Sequence, residues 1–258
     1  MNSDPNVSHR PSAAGSLRSG VSWVHVGSLQ PDELAVCDGP IGPEEVLSLT
    51  QASLRDMAST SRCVSDWLRR DWHIEDIYLH GIVSAARLQG LWWVRDQLDF
   101  SALTVGCSRL HRVLYELSPV FLADAQPAKD ATVLLLPEPD SQHTMGLFML
   151  SEFFRRGGWH TFLLQPDELG DALRIVGSHW VDVMAISIAS DRHFDHLRHL
   201  IAQVRQHSAN PRIQILAGGP MASCMPDTLM ALGVDCIGTD AKSTVEGAYS
   251  HILSRASD

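Results

Sequence analysis

A chain of 258 residues, 45% apolar and 19% charged, holds enough material for one large domain or two ordinary ones with buried cores. Its formal charge of −10 repels a phosphate backbone, and basic residues cluster no further than a pair such as Arg69 and Arg70. A direct DNA-reading surface is therefore not expected, and any role in gene control would act through another protein. No apolar run is long enough to span a membrane, and the opening stretch MNSDPNVSHRPSAAGSLRSG lacks the apolar core of a signal peptide, so a cytoplasmic location is expected. The five cysteines, at 37, 63, 107, 224 and 236, make no C-x-x-C pair and read as small buried apolar residues in a reducing compartment.

Residues 1–42 are rich in Ser, Pro and Gly without a sustained period, and read as a mobile leader that nonetheless carries His9, Trp23 and His25. Pro43 and Glu44 open a helix whose apolar positions Val46, Leu47, Leu49, Leu54 and Met57 share one face. A second helix is expected over SRCVSDWLRR, and a third from about Ile74 to Asp96 with apolar residues spaced at threes and fours. FSALTVGCSRLHRVLYELSP gives a fourth, expected to end at Pro119. Four helices with short joins over residues 43–120 imply a compact bundle.

Residues 121–130, FLADAQPAKD, read as a linker. Beyond it the apolar runs ATVLLLP, HTFLLQ, VDVMAISIAS, RIQILAGG and VDCIGTD alternate with helical stretches beginning near 144, 167, 192, 224 and 241. Five strand–helix units over residues 131–258 imply an α/β domain with a doubly wound, parallel, five-stranded Rossmann-like sheet, in which ligands gather at the carboxyl ends of the strands. Three features fall at those ends: His143-x-x-Gly146, then Ser187 with Ser190, then Gly218-Gly219. Forty residues lie between Gly146 and Ser187, and twenty-eight between Ala189 and Gly218.

In that order and spacing the three features resemble the cobalamin-binding domain family, whose pattern is Asp-x-His-x-x-Gly, then Ser-x-Leu or Ser-x-Thr, then Gly-Gly. The resemblance covers about residues 130–258. It implies that His143 is the metal ligand, replacing the cofactor's benzimidazole beneath the cobalt, a base-off/His-on arrangement for which a neutral imidazole is a suitable donor. The displaced nucleotide tail would then pass Gly146 and Gly218-Gly219, where backbone can approach closely, with the Ser187 hydroxyl near the benzimidazole. The family's aspartate before the histidine is Ser141 here, with Asp140 one step off register and Glu138 further back. That change bears on the strength of the metal bond, because such partners tune metal affinity.

The stretch RLQGLWWVRDQLDFSALTVG is similar to the bundle segment of light-sensing cobalamin regulators and methyl-carrier modules, but Leu103 and Thr104 stand where they carry Glu-His. Trp92 and Trp93, neighbours on a helix, face directions roughly 100° apart, so one can pack in the bundle while the other covers the corrin. His80 and His111 read as satisfied helix residues, and His9 and His25 as candidates for the upper face. His193, His196 and His199 read as a solvated helix face rather than a zinc site.

The whole architecture resembles the AerR/PpaA family of cobalamin-binding antirepressors of photosynthesis genes. The resemblance implies adenosyl-, methyl- or hydroxocobalamin as cofactor, a response to light through loss of the upper alkyl ligand, and a CrtJ/PpsR-type repressor as partner, without enzyme turnover. A corrinoid methyl-carrier subunit and a haem-binding sensor relative are the alternatives.

Overall fold

The helical half is built from elements whose ends are written in the local sequence. Residues 24–37, 39–138, 141, 144–165, 168 and 170–256 are described in the computed structural model. Helix α2 (Pro43–Arg55) begins with proline and two glutamates, where a missing N–H costs nothing and negative charge meets the positive helix end. Helix α3 (Met57–Arg69) follows without a loop, because Asp56 adopts an extended conformation and its Oδ1 accepts the Ser59 N–H at 2.7 Å. It therefore starts four residues before the expected SRCVSDWLRR segment. A short α4 (Ile74–Asp76) runs through a π-helical stretch, Ile77–Ile82, into α5 (Val83–Val94).

Helix α6 (Phe100–Phe121) is capped by Asp99, which accepts the Ala102 N–H at 2.8 Å. Contrary to the expected stop, it passes through Pro119 for two further residues. A proline in the last turn forfeits one hydrogen bond, and Phe121, fully buried, holds the end of the helix in place.

Part of the expected leader is structured. Val26–Ser28 form a 3₁₀ turn and Pro31–Val36 form α1, whose Glu33 Oε2 accepts the Gln30 N–H at 2.6 Å. Glu33 is buried, and its other oxygen accepts the Trp92 indole N–H at 3.1 Å and pairs with Arg95 at 2.5 Å. The signal for this contact lies in two partners about sixty residues apart in the chain, which local composition does not reveal.

The second half is the expected doubly wound parallel sheet. Strands β1 (Thr132–Pro137), β2 (His160–Leu163), β3 (Val183–Ser187), β4 (Gln214–Gly218) and β5 (Cys236–Ile237) lie in the order β2-β1-β3-β4-β5. Between them run α7 (Met145–Arg156), α8 (Asp171–Ser178), α9 (Phe194–His207), α10 (Pro220–Cys224) and α11 (Pro226–Ala231), and α12 (Ala241–Ala256) follows β5. The inner strands are buried on both faces, which is why they read as continuous apolar runs. Val133 and Leu135 join the core of the bundle, α7 and α12, whereas Leu134 and Leu136 join the core under α8 and α9.

One core thus runs from the bundle onto the sheet. Tyr78 of the π-helical stretch stacks on Phe121 at 4.2 Å, and Phe121 meets Phe153 of α7 edge-on at 4.9 Å. Glu75 beside them pairs with Lys242 at 2.7 Å and Arg156 at 3.3 Å, one on each sheet-covering helix. Replacing Phe121 with alanine should lower unfolding stability by about 3–5 kcal/mol in denaturant titrations, as for a large buried aromatic. A loss below about 1 kcal/mol would show that the aromatic stack does not hold the two halves together.

Candidate functional site at the strand ends

The chain leaves β1 for β2 on one side of the sheet and enters β3 on the other, so the carboxyl ends of β1 and β3 form the topological switch point. The sequence features converge on this edge. Ser187 ends β3, Gly218 ends β4, and Ser141 and Gly146 belong to the passage from β1 into α7. His143 lies outside the described residues, as do Asp140, His9 and Trp23.

Strand ends in a parallel sheet expose backbone donors that lack ladder partners, and here these are paired in an ordered way. Beyond the last β1–β3 ladder pair, Pro137 with Ser187, the Glu138 N–H donates to the Ser187 carbonyl at 2.9 Å. The Ile188 N–H donates to the Gly218 carbonyl at 2.9 Å, and the Met221 N–H to the Ile188 carbonyl at 3.1 Å. The next two donors, Ala189 and Ser190 N–H, both reach the Glu138 carboxylate, at 3.0 Å to Oε1 and 3.2 Å to Oε2. Glu138 is only 6% exposed. Two consecutive N–H groups around a carboxylate form an anion-binding concavity, and such charge-assisted bonds are worth about 1.5–3 kcal/mol each. The Glu138 carbonyl in turn accepts the Ser141 N–H at 3.2 Å, and Ser141 is buried. One residue thereby joins Ser141, Ser187 and Ser190. Its sequence signal was a carboxylate directly after an unbroken apolar strand, which was noted only for its distance from His143.

The glycines divide into two kinds. Gly219 has φ +93°, and a Cβ there would stand 2.6 Å from the Ile188 carbonyl oxygen, so only glycine lets the exits of β3 and β4 touch. Gly146 and Gly218 are open toward the described residues. Among these, a Cβ at Gly146 would meet nothing within 4 Å, and one at Gly218 only the Gly238 carbonyl at 4.0 Å. Packing against the described chain does not demand glycine at either position. Both leave room on the edge where a nucleotide tail would pass, and it is this space, not the strand-end donors already paired with Glu138, that fits a corrinoid.

In the bundle the two tryptophans diverge. Trp92 is buried and its indole N–H is committed to Glu33, so of the two rings it is the one that packs in the bundle. Trp93 is 46% exposed, close in sequence to exposed Val94 and Phe100. His25 is exposed beside Glu44, Ser48 and Gln51 on the outer side of α2. His111 departs from the expectation of a satisfied helix residue. It stacks on Tyr115 at 4.9 Å and lies 5.5 Å from Phe148, and its Nε2 is buried without a hydrogen-bond partner among the described residues. Burial lowers its pKa, favouring the neutral ring. His196 and His199 lie on α9 and His193 is the residue that precedes it.

The two glycine kinds give a paired prediction. Gly219→Ala should lower the melting temperature by several degrees, corresponding to about 1–3 kcal/mol, whereas Gly218→Ala should leave it nearly unchanged. Equal melting temperatures for the two variants would refute the contact with Ile188.

Residues 132–248 match the family model of the B12 binding domain. An uncharacterized 20.5 kDa protein in the bchF-crtJ intergenic region of Rhodobacter capsulatus is 28% identical over 168 residues, spanning 65% of this chain and 87% of that one. The monomethylamine corrinoid protein of Methanosarcina barkeri superposes with a TM-score of 0.69 at 13% identity, over 78% of this chain and 94% of that one, a likeness of fold. No helix among the described residues is long and apolar enough to cross a membrane. The α/β half of the chain is thus similar, over residues 132–248, to the B12 binding domain.

Proposed function

We propose that the protein is a cobalamin-dependent, light-responsive regulator of transcription of the AerR/PpaA type, acting without turnover on a CrtJ/PpsR-type repressor. The observation that carries the regulatory reading is the relative from the bchF-crtJ interval, which lies beside the gene named for that repressor and aligns with 65% of this chain. The chain's acidic charge of −10 supports action on a protein rather than on DNA.

In this reading His143 would supply a neutral imidazole nitrogen to the metal, and Gly146 and Gly218 would leave room for the nucleotide tail, since among the described residues no side chain lies within 4 Å of a Cβ placed at either. Ser141, in the place of the family's aspartate, is buried, so any polar contact it makes to the histidine ring is sheltered from water. An alkylcobalamin supplies a cobalt–carbon bond that visible light breaks. What the chain adds is a mechanical link. Trp93 stands exposed at the end of α5, and the residue before it is locked through Glu33 to α1. A change in what Trp93 covers is thereby transmitted to the N-terminal segment, which offers a repressor two arrangements to distinguish.

The second reading, a methyl carrier, is supported by the shared fold of the monomethylamine corrinoid protein, in which a corrinoid would cycle in the service of a methyltransferase. Purified protein loaded with adenosylcobalamin in the dark should change its visible spectrum on illumination, and should bind the repressor in only one of the two states. Methyl transfer from a methylcobalamin-loaded sample in the dark would favour the carrier, and a porphyrin spectrum would overturn both. His143→Ala should lose corrinoid on gel filtration, and retention with an unchanged spectrum would exclude His143 as ligand.

A further inference from the structure

We infer that the outer face of α2 and α3 is an interface between two copies of this chain, related by a two-fold axis that crosses the helical hairpin near Ser48 and Cys63. The inference concerns the bundle alone and stands whether or not the α/β half carries a corrinoid. The two helices run in opposite directions from the turn at Asp56 and leave between them, on their exposed side, a groove of about 590 Å³. Its charged lining is Arg55, Arg62 and Arg70 against Glu44, Glu45 and Asp66. Those charges cancel, in a chain whose formal charge is −10. The acidic surface as a whole repels a second copy, and a patch balanced within itself is where two copies meet without that cost.

The charges are also ordered along the groove. At the end away from the turn, Asp66 pairs with Arg69, and Arg70 leans on Glu45 at 3.7 Å. Glu44, at that same end, and Arg62, nearer the turn, make no hydrogen bond or ion pair among the described residues. At 1.5 Å of rise per residue they stand roughly 9 Å apart along the hairpin, with Arg55 further still toward the turn. An axis lying across the hairpin reverses its direction. It therefore lays the Glu44 end of each copy on the Arg55 and Arg62 end of the other, and the same patch serves both copies. A groove of uniform sign could not do this. Ser48 and Cys63, both small, lie at the middle, where bulk would hold the copies apart. The lining is mostly polar, so the dimer is reversible and salt-sensitive.

Sedimentation equilibrium of the full chain tests this, at low salt and again at about 0.5 M salt, which screens exposed charges. A monomer–dimer equilibrium should appear at low salt and weaken at high salt. Arg62→Glu and Glu44→Arg should each raise the dimer Kd about 10-fold, because each turns two attractions into two repulsions. The double variant, which exchanges the two ends, should return to within about 2-fold of wild type. Both side chains are exposed, so the melting temperatures of the variants should stay close to that of wild type. A chain that stays monomeric at about 0.1 mM and low salt would overturn the inference and leave the groove to a different partner. A dimer that neither single variant weakens, or that the double variant fails to restore, would overturn it as well.

Discussion

A parallel sheet ends in backbone groups that have no ladder partner, and burying them without compensation costs a few kcal/mol each. This protein meets that constraint at its switch point with a single carboxylate. Glu138 continues the β1–β3 ladder through its own N–H and closes it with its side chain on two more donors. The exits of β3 and β4 are then pressed together at Gly219, where a side chain does not fit. Everything assigned to the cofactor edge inherits its position from these contacts.

The bundle is attached at a different place, and by different physics. Tyr78, Phe121 and Phe153 form an apolar joint continuous with one face of the sheet, and Glu75 adds ion pairs to Arg156 and Lys242. Burial keeps the Tyr78 phenol strongly in its neutral form, in keeping with a joint made by packing. The opposite end of α5 carries Trp93 and Val94 in the open. The bundle is thus anchored by a buried joint at one end of its long helix and exposed at the other, where Glu33 ties Trp92 and Arg95 to the N-terminal segment.

Much of this was legible from residues alone, for reasons that can be named. Strands buried on both faces must be apolar throughout, so β1, β3 and β4 stood out as runs, and their alternation with helices implied a doubly wound sheet. Gly146, Ser187 and Gly218-Gly219 were readable as a set because each lies at or just beyond a strand end, where the fold brings them to one edge. Pro119 was misjudged because the rule against proline is one of local hydrogen bonding, while the end of α6 is decided by Phe121 in a distant contact. The leader was read as mobile because its composition is polar, yet Glu33 is buried by partners far along the chain. Trp92 and Trp93 could be separated in direction by helical geometry, but which of them faced the core could not.

Periodicity and strand-end punctuation determined the fold class and the sheet edge at which Gly146, Ser187 and Gly218 meet, since each depends on neighbours in the chain. The tertiary structure decided what depends on groups brought together from afar. It showed that Glu138 rather than the residue nearest His143 organises the strand ends, that Trp92 is spent on the bundle, and that Gly219 serves packing while Gly146 and Gly218 leave space. A side chain's composition states what it can bond. Only the folded neighbourhood states which of those bonds are already made.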